Sequence, residues 1–460
     1  MSSRSKKITE KAIGLILPES AQYVRTCAPG ALYATLTTVQ GILYALLTLA
    51  SSTLWGVLNG WLLYFYLPPG GTPRTPVALY GLVMLMARLV NMAITLPVGY
   101  LSDRTRTRWG RRLPYVYVGV VCMPLFFGLL WYPPLPGESL WNLIYLAGVM
   151  IAFNVAYECY QTPYDTLLPE LFPQEAQRIR VSAWQTGFQL LGAVLSGLAG
   201  PLIEALGYGR AAQAYALGLL PVFLTPLFFL RERARSQAAP AAITFRQSLR
   251  LALGYRPFQI FTLSWALFWM ATTFILETMP YIVTEVCRRS EGEAAYFYLP
   301  TVLVSLLCLP LVTRLADRLG KRRLFLASLL AGALTLPGLL WIDPTLPLPL
   351  LAQGVGWVVL TAVVLSPAQV LPSAIAAEIT DWDAQRSGQR REGMFYAFWG
   401  LLDQLASGLG LAVIPLFLLL GRSAASPHGP LGVRLLGAFG GLLLFLAFLI
   451  FRRYPAAAPA

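Results

Sequence analysis

Charge is scarce in this chain. Asp, Glu, Lys and Arg make up 12% of its 460 residues and hydrophobic residues 57%, whereas an average soluble domain is roughly 25% charged. That balance excludes a water-soluble globule. Cysteine is sparse as well: Cys27, Cys122, Cys159, Cys287 and Cys308 are scattered without a Cys-x-x-Cys pair, and the single His428 stands among Ser, Pro and Gly. Neither a disulfide framework nor a zinc site is supported, and no metal or cofactor is expected. The opening segment lacks a compact apolar stretch followed by small residues and carries Arg4, Lys6, Lys7, Glu10, Lys11, Glu19 and Arg25 instead. No cleaved leader is expected there, and the amino terminus is read as cytoplasmic. A His cluster, a phosphate-cradling glycine loop and a nucleophile with an adjacent base are all missing, which argues against a membrane-embedded enzyme.

What the chain has is long apolar runs. A bilayer span takes about 20 residues, and runs bounded by Gly, Pro or charge clusters place twelve of them at 43–67, 77–101, 113–133, 144–167, 181–206, 211–230, 258–283, 294–314, 324–342, 349–372, 394–419 and 431–451. The stretch 31–67 is too long for one upright helix and too short for two, which leaves an extended helix or a preceding interfacial stretch. If the spans alternate from a cytoplasmic amino terminus, most Lys and Arg fall in cytoplasmic tails and loops, so the net charge of +14 orients the chain in the lipid bilayer and does not point to nucleic acid. An inner, cell-membrane location with both termini cytoplasmic is the expectation, as a monomer.

One long hydrophilic interruption, containing RERARSQAAPAA from Arg231 to Ala242, falls near the midpoint. It divides the chain into a lead-in (1–42), a six-span bundle (43–230), a cytoplasmic linker (231–257), a second six-span bundle (258–451) and a tail (452–460). The loop after the second span of the first bundle reads GYLSDRTRTRWGRRLP (Gly99 to Pro114), and its counterpart in the second reads RLADRLGKRR (Arg314 to Arg323). An Asp-Arg pair followed by Gly and a basic pair thus recurs at Asp103 and Asp317. Such a half-length repeat is the mark of two fused bundles with a substrate path between them; the competing explanation, that inner loops simply keep basic residues for topology, accounts for the Arg and Lys but less well for the repeated Asp and Gly.

The loop Gly99 to Pro114 resembles the signature after the second helix of the glycoside-pentoside-hexuronide cation symporters, the melibiose-carrier branch of the major facilitator superfamily. TPYDTLLPELFPQEAQRIR (Thr162 to Arg180) and LPSAIAAEITDWDAQRSGQRREGMFYAFWG (Leu371 to Gly400) resemble two further loops of that family, in order and across both halves. The resemblance implies an all-α polytopic membrane protein with 12 transmembrane helices in two pseudo-symmetric six-helix bundles, moving a sugar-like solute by symport. Carried over by position, the family's acid of the first helix falls on Thr48, its two acids of the second on Asn91 and Thr95, and its acid before the Pro of the fourth on Gln161. The arginine that partners this last acid falls on Gln185 and the lysine of the eleventh helix on Gln404, beside Asp403. Every one of these positions is uncharged here. Joint loss is self-consistent, because removing one partner alone would strand a charge in low dielectric, and it argues against sodium, which needs hard oxygen ligands.

Ionisable groups inside spans are costly and by default mark a pathway. Arg88, Glu158, Glu277 and Asp403 are such groups. Arg88, Asn91 and Thr95 share a helical face, as do Glu158 and Gln161, with Asp165 a turn further on. Gln185 and Gln189 pair at i, i+4, and so do Trp55 and Asn59, Trp265 and Trp269, and Trp399 and Asp403. Together with Gln404 these predict a polar and aromatic lining near mid-bilayer, since amides and hydroxyls both donate and accept and indole faces stack on sugar rings. The competing explanation is static: amides that glue helices together, and an Arg88–Glu158 pair. Glu277 is expected to be hydrated in an outer vestibule, and Trp61, Trp131 and Trp341 to anchor at the interface. Glu158 and Asp403 are the candidates for carrying a coupling proton, with uncoupled facilitated diffusion left open. Asp103, Arg104, Arg111 and Arg112, and less so Asp317, are expected to latch the cytoplasmic end by pairing with helix ends or the facing loop. A small-molecule substrate is the expected partner; the alternative to a sugar is a lysolipid or another amphipath.

Overall fold

The computed structural model describes residues 29–107, 110–172, 174–229, 254–387, 392–420 and 431–455. Cys27, His428, most of the expected lead-in and linker, and residues 456–460 lie outside the described residues. Within them the chain is helical, apart from one isolated bridge between Thr107 and Gly110.

The first half runs through α1 (Pro29–Tyr66), α2 (Val77–Arg104), α3 (Leu113–Leu129), α4 (Leu140–Leu171), α5 (Glu175–Gly197), α6 (Ala199–Leu206) and α7 (Tyr208–Phe229). The second runs through α8 (Arg256–Tyr281), α9 (Ala295–Leu319), α10 (Lys321–Thr335), α11 (Leu350–Val370), α12 (Pro372–Ser387), α13 (Glu392–Leu418) and α14 (Leu431–Phe451). Ten helical segments are long and apolar enough to cross a membrane among the described residues. Helix α1 resolves the choice left open at 31–67: it is one continuous helix of 38 residues, about 57 Å at 1.5 Å per residue, well beyond a hydrocarbon core of about 30 Å.

Several spans end differently from their hydropathy runs, for local reasons. The expected span 181–206 is two helices broken at Leu198, where Gly197 and Gly200 let the backbone close on Tyr298 and on the Glu291 carbonyl; a Cβ on Gly200 would stand 2.4 Å from that oxygen. The run 324–342 leaves α-geometry after Thr335 and finishes as a 3-10 turn at Leu336–Trp341, because Pro337 has no N–H to donate. The run 349–372 stops at Val370 and restarts at Pro372, a residue suited to a first helical position.

Within the first half, α1 packs on α5 and α7, α2 on α4, and α3 on α4 and α7; within the second, α8 packs on α13 and α14, α9 on α11, and α10 on α11 and α14. Among the described residues the halves are joined by α2 on α13, α1 on α8, α5 on α9, and α6 on α9 and on the Glu291–Ala294 turn. The first is tight, since a Cβ on Gly81 would lie 2.5 Å from the Ala412 carbonyl oxygen.

The two ends of the bundle differ. At one, Tyr281 donates to the carbonyls of Leu63 (3.2 Å) and Leu67 (2.7 Å), Tyr64 donates to Thr284 (3.3 Å), and the Glu204 carboxylate accepts from the Gly292 N–H (2.7 Å) and the Ser290 hydroxyl (3.0 Å). All of these bridge the halves and close that end. Trp61 and Trp131 belong to this seal and are buried, packed against Tyr208. The expectation that they anchor at the interface is therefore corrected, while Trp341 is 68% exposed. At the opposite end the ion pairs among the described residues lie within a half, Arg112 with Asp103 and Glu170, and Lys321 with Glu378 at 2.5 Å.

Candidate functional site

Beneath the seal a cavity of about 760 Å³ lies between α1, α2, α4 and α5 on one side and α8 and α13 on the other. Of the residues expected to line a pathway, Trp55, Asn59, Arg88, Gln161, Gln185, Trp269, Asp403 and Gln404 face it. Thr95 and Glu158 face a second cavity of about 440 Å³ instead, which shares Tyr157, Gln161, Asp165 and Gln404 with the first. Three residues face neither: Asn91 is fully buried, and Trp265 and Trp399 stand behind the wall.

The hydroxyl of Tyr164 organises the α1–α4–α5 corner. It meets Thr48 at 3.0 Å and accepts from Gln185 Nε2 at 2.8 Å, while its ring stacks on Tyr44 with centroids 4.3 Å apart. Gln161 does not join Gln185. Its Nε2 donates to both oxygens of Asp165, at 2.8 and 2.9 Å. The site expected to be jointly neutral therefore holds an acid one helical turn from the amide, where an i, i+4 pair brings the two together on one face.

Arg88 sits over the ring of Trp55, its guanidinium carbon 4.8 Å from the centroid, in cation–π geometry. Trp55 is in turn wedged edge-on against Phe153 (5.3 Å) and Tyr157 (5.1 Å). The Arg88 side chain is buried, and its Nε has no hydrogen-bond partner among the described residues. Glu158 instead accepts from Thr162 at 2.7 Å, and Thr95 lines the same cavity. The Arg88–Glu158 pair of the static explanation is thus not formed among the described residues. A hydrated Glu277 is also corrected: it is 4% exposed, beneath the seal.

Asp403 is positioned from behind. Trp265 donates its indole N–H to Asp403 Oδ1 at 2.9 Å, stacks on Trp269 (5.5 Å, 22°) and takes the edge of Trp399 (5.6 Å). These three indoles make an aromatic buttress in which only Trp269 reaches the cavity.

The expectations named too few hydroxyls. Ser51, Ser52, Tyr157, Tyr164, Ser182, Thr186, Ser196 and Ser407 also line the chamber. A signal was present in α5, where Ser182, Gln185, Thr186, Gln189 and Ser196 recur at helical spacing along one face.

Asp103, Arg104, Arg111 and Arg112 converge less completely. Arg112 is the hub: it bonds Asp103 Oδ1 (2.7 and 3.2 Å), Glu170 Oε1 (2.7 Å) and the Thr166 carbonyl (2.7 Å), and Arg111 also pairs with Glu170. Arg104 lies over the Tyr100 ring at 4.1 Å. These bonds clamp α2, α3 and α4 together. Among the described residues Asp103 bonds Arg112 of its own half, where a latch was expected to pair with helix ends or the facing loop. Asp317 lies at the end of α9, where neighbouring Lys321 bonds Glu378 across to α12.

Comparison with known proteins agrees with this architecture. The family described as MFS/sugar transport protein matches residues 43–457. The isoprimeverose transporter of Lactiplantibacillus pentosus is 24% identical over 385 residues, covering 80% of this chain and 78% of its own. The sodium-dependent lysophosphatidylcholine symporter 1-A of Danio rerio is 22% identical over 413 residues, covering 79% and 76%. A crystal structure of the nucleoside transporter NupG, in a single-substitution variant, superposes with a TM-score of 0.68 at 12% identity, over 90% of this chain and 99% of that one; at such identity the likeness is one of fold, the twelve-helix major facilitator fold. The chain belongs to the MFS/sugar transport family of the major facilitator superfamily and is a membrane-embedded secondary transporter, not an enzyme.

Proposed function

We propose that the chain moves a sugar-like solute across the cell membrane by alternating access, and that the 760 Å³ chamber is where the solute is held. The carrying observation is the chamber's lining. It is built from both halves, with Gln, Asn, Ser and Thr side chains that donate and accept in every direction and with Trp55 and Trp269 as flat apolar faces. A polyol ring needs that combination, and the isoprimeverose transporter among the relatives fits it. An end sealed between halves over an opposite end whose ion pairs stay within each half fits one state of an alternating cycle. With Lys and Arg orienting the loops, the end opposite the seal is assigned to the cytoplasm, together with both termini.

The coupling ion is assigned as a proton, if coupling exists. Thr48, Asn91, Thr95 and Gln161 stand where the family resemblance places carboxylates, and of these Thr48 and Gln161 are already engaged with Tyr164 and Asp165. Glu158 and Asp403 are the proposed carriers. Each accepts a short hydrogen bond from a neighbouring side chain, from Thr162 and Trp265 respectively, and each borders a cavity. The double variant Glu158→Gln with Asp403→Asn is expected to abolish accumulation against a gradient in vesicles while exchange at equilibrium persists. Undiminished accumulation in that variant would refute the assignment.

A further inference from the structure

The second cavity raises a question that the sugar chamber does not answer: what occupies a volume of about 440 Å³ joined to the first through Tyr157, Gln161, Asp165 and Gln404. Its two walls are unlike. The α4 wall is polar, with Glu158 turned onto Thr162. The α13 wall is apolar, with Met394, Phe398 and Leu401 at i, i+4 and i+7, and Met92 of α2 adds to it.

We propose that this second cavity is a subsite for the compact apolar aglycone of an amphipathic glycoside, whose sugar part occupies the main chamber. The proposal rests on the sugar assignment made above and narrows it from any sugar-like solute to a glycoside with an aromatic or similarly small hydrophobic substituent. Three observations support it. The shared residues at the junction, Gln161, Asp165 and Gln404, are hydrogen-bonding groups suited to the glycosidic end of a sugar. The volume exceeds the roughly 150 Å³ that lodges a benzene ring in a protein interior, so an aryl or bicyclic group fits. Finally, Gly400 lines the same cavity, and a Cβ built there meets nothing within 4 Å; the helix leaves this position open although any side chain would have been a better helix former.

That opening also supplies the test. Gly400→Leu places a side chain into the space without striking backbone, and Leu401→Ser removes an apolar contact should the first variant fail to fold. The full chain, in nanodiscs prepared without glycoside detergents, is titrated with methyl and phenyl members of three pairs: β-D-xylopyranosides, β-D-glucopyranosides and β-D-galactopyranosides. Burial of a phenyl ring should make the phenyl member of the recognised pair bind about tenfold more tightly or better. In Gly400→Leu this ratio is expected to fall to about threefold or less while methyl-glycoside affinity is unchanged. Equal binding of the two members, with methyl affinity intact, would leave the sugar assignment standing and overturn the subsite, reducing the second cavity to a transit route. An equal loss for both members in Gly400→Leu would overturn it too, as would tight binding of lysophosphatidylcholine with no aryl glycoside bound. Absence of binding by every pair to folded protein would overturn the sugar assignment itself.

Discussion

Asp403 would be free to turn in the chamber if a single indole N–H did not hold one of its oxygens. A hydrogen bond to a charged group contributes about 1.5–3 kcal/mol, so Trp265→Phe, which keeps the stack on Trp269 and removes only the donor, is expected to weaken substrate binding by about 10- to 100-fold with the fold intact. Trp399→Phe is the internal control. Its Nε1 has no hydrogen-bond partner, and its replacement should leave affinity within about threefold. Equal effects of the two substitutions on a binding isotherm would show that the indole does not position the carboxylate. The sequence made these residues candidates because i, i+4 spacing puts Trp265 with Trp269 and Trp399 with Asp403 on common faces. It could not say which neighbours those faces meet. That is why Arg88 finds Trp55 and not the Glu158 of the static explanation, and why Gln161 finds Asp165.

At the scale of elements, the clamp at Arg112 carries the argument. Its side chain is 10% exposed and serves Asp103, Glu170 and a carbonyl of α4 at once, whereas the Asp103 side chain is 55% exposed. Loss of Arg112 therefore costs more than loss of the Asp103 charge. Arg112→Ala is expected to destabilise the first half by about 1.5–3 kcal/mol, read as a lowered Tm, and to slow transport. Asp103→Asn should change Tm little and alter substrate affinity only through the balance of states; a hundredfold loss of binding in that variant would make Asp103 a ligand and not a clamp. The repeat that drew attention to this loop was legible, since Asp, Arg and Gly recur at Asp317 to Gly320. Its pairing was not, because Glu170 and Thr166 lie in a different motif and meet Arg112 only once α3 and α4 are packed. Helix ends follow the same logic. Pro337 and Pro372 mark stops readable in the sequence, but the break at Leu198 is imposed by the approach of α6 to the Glu291–Ala294 turn of the other half.

For the whole molecule, hydropathy and the midpoint linker made the twelve-span architecture legible before any packing was known. What a sequence of this kind leaves out is which end is closed. A transporter must be able to pack both ways, so its contacts at each end are only one state's share. Here Glu204, Tyr64 and Tyr281 join the halves at the sealed end, and the ion pairs among the described residues of the other end lie within each half. The central claim is that this two-ended device carries a sugar-like solute through the chamber without sodium. Counterflow tests it most directly, because exchange needs no ion gradient. Proteoliposomes holding the full chain are preloaded with an unlabelled glycoside, diluted into the same labelled glycoside, and compared in sodium and in potassium buffers. A transient accumulation of label, equal in the two buffers, is the predicted result. Accumulation that requires sodium, or no counterflow of any glycoside by folded and inserted protein, would contradict the account.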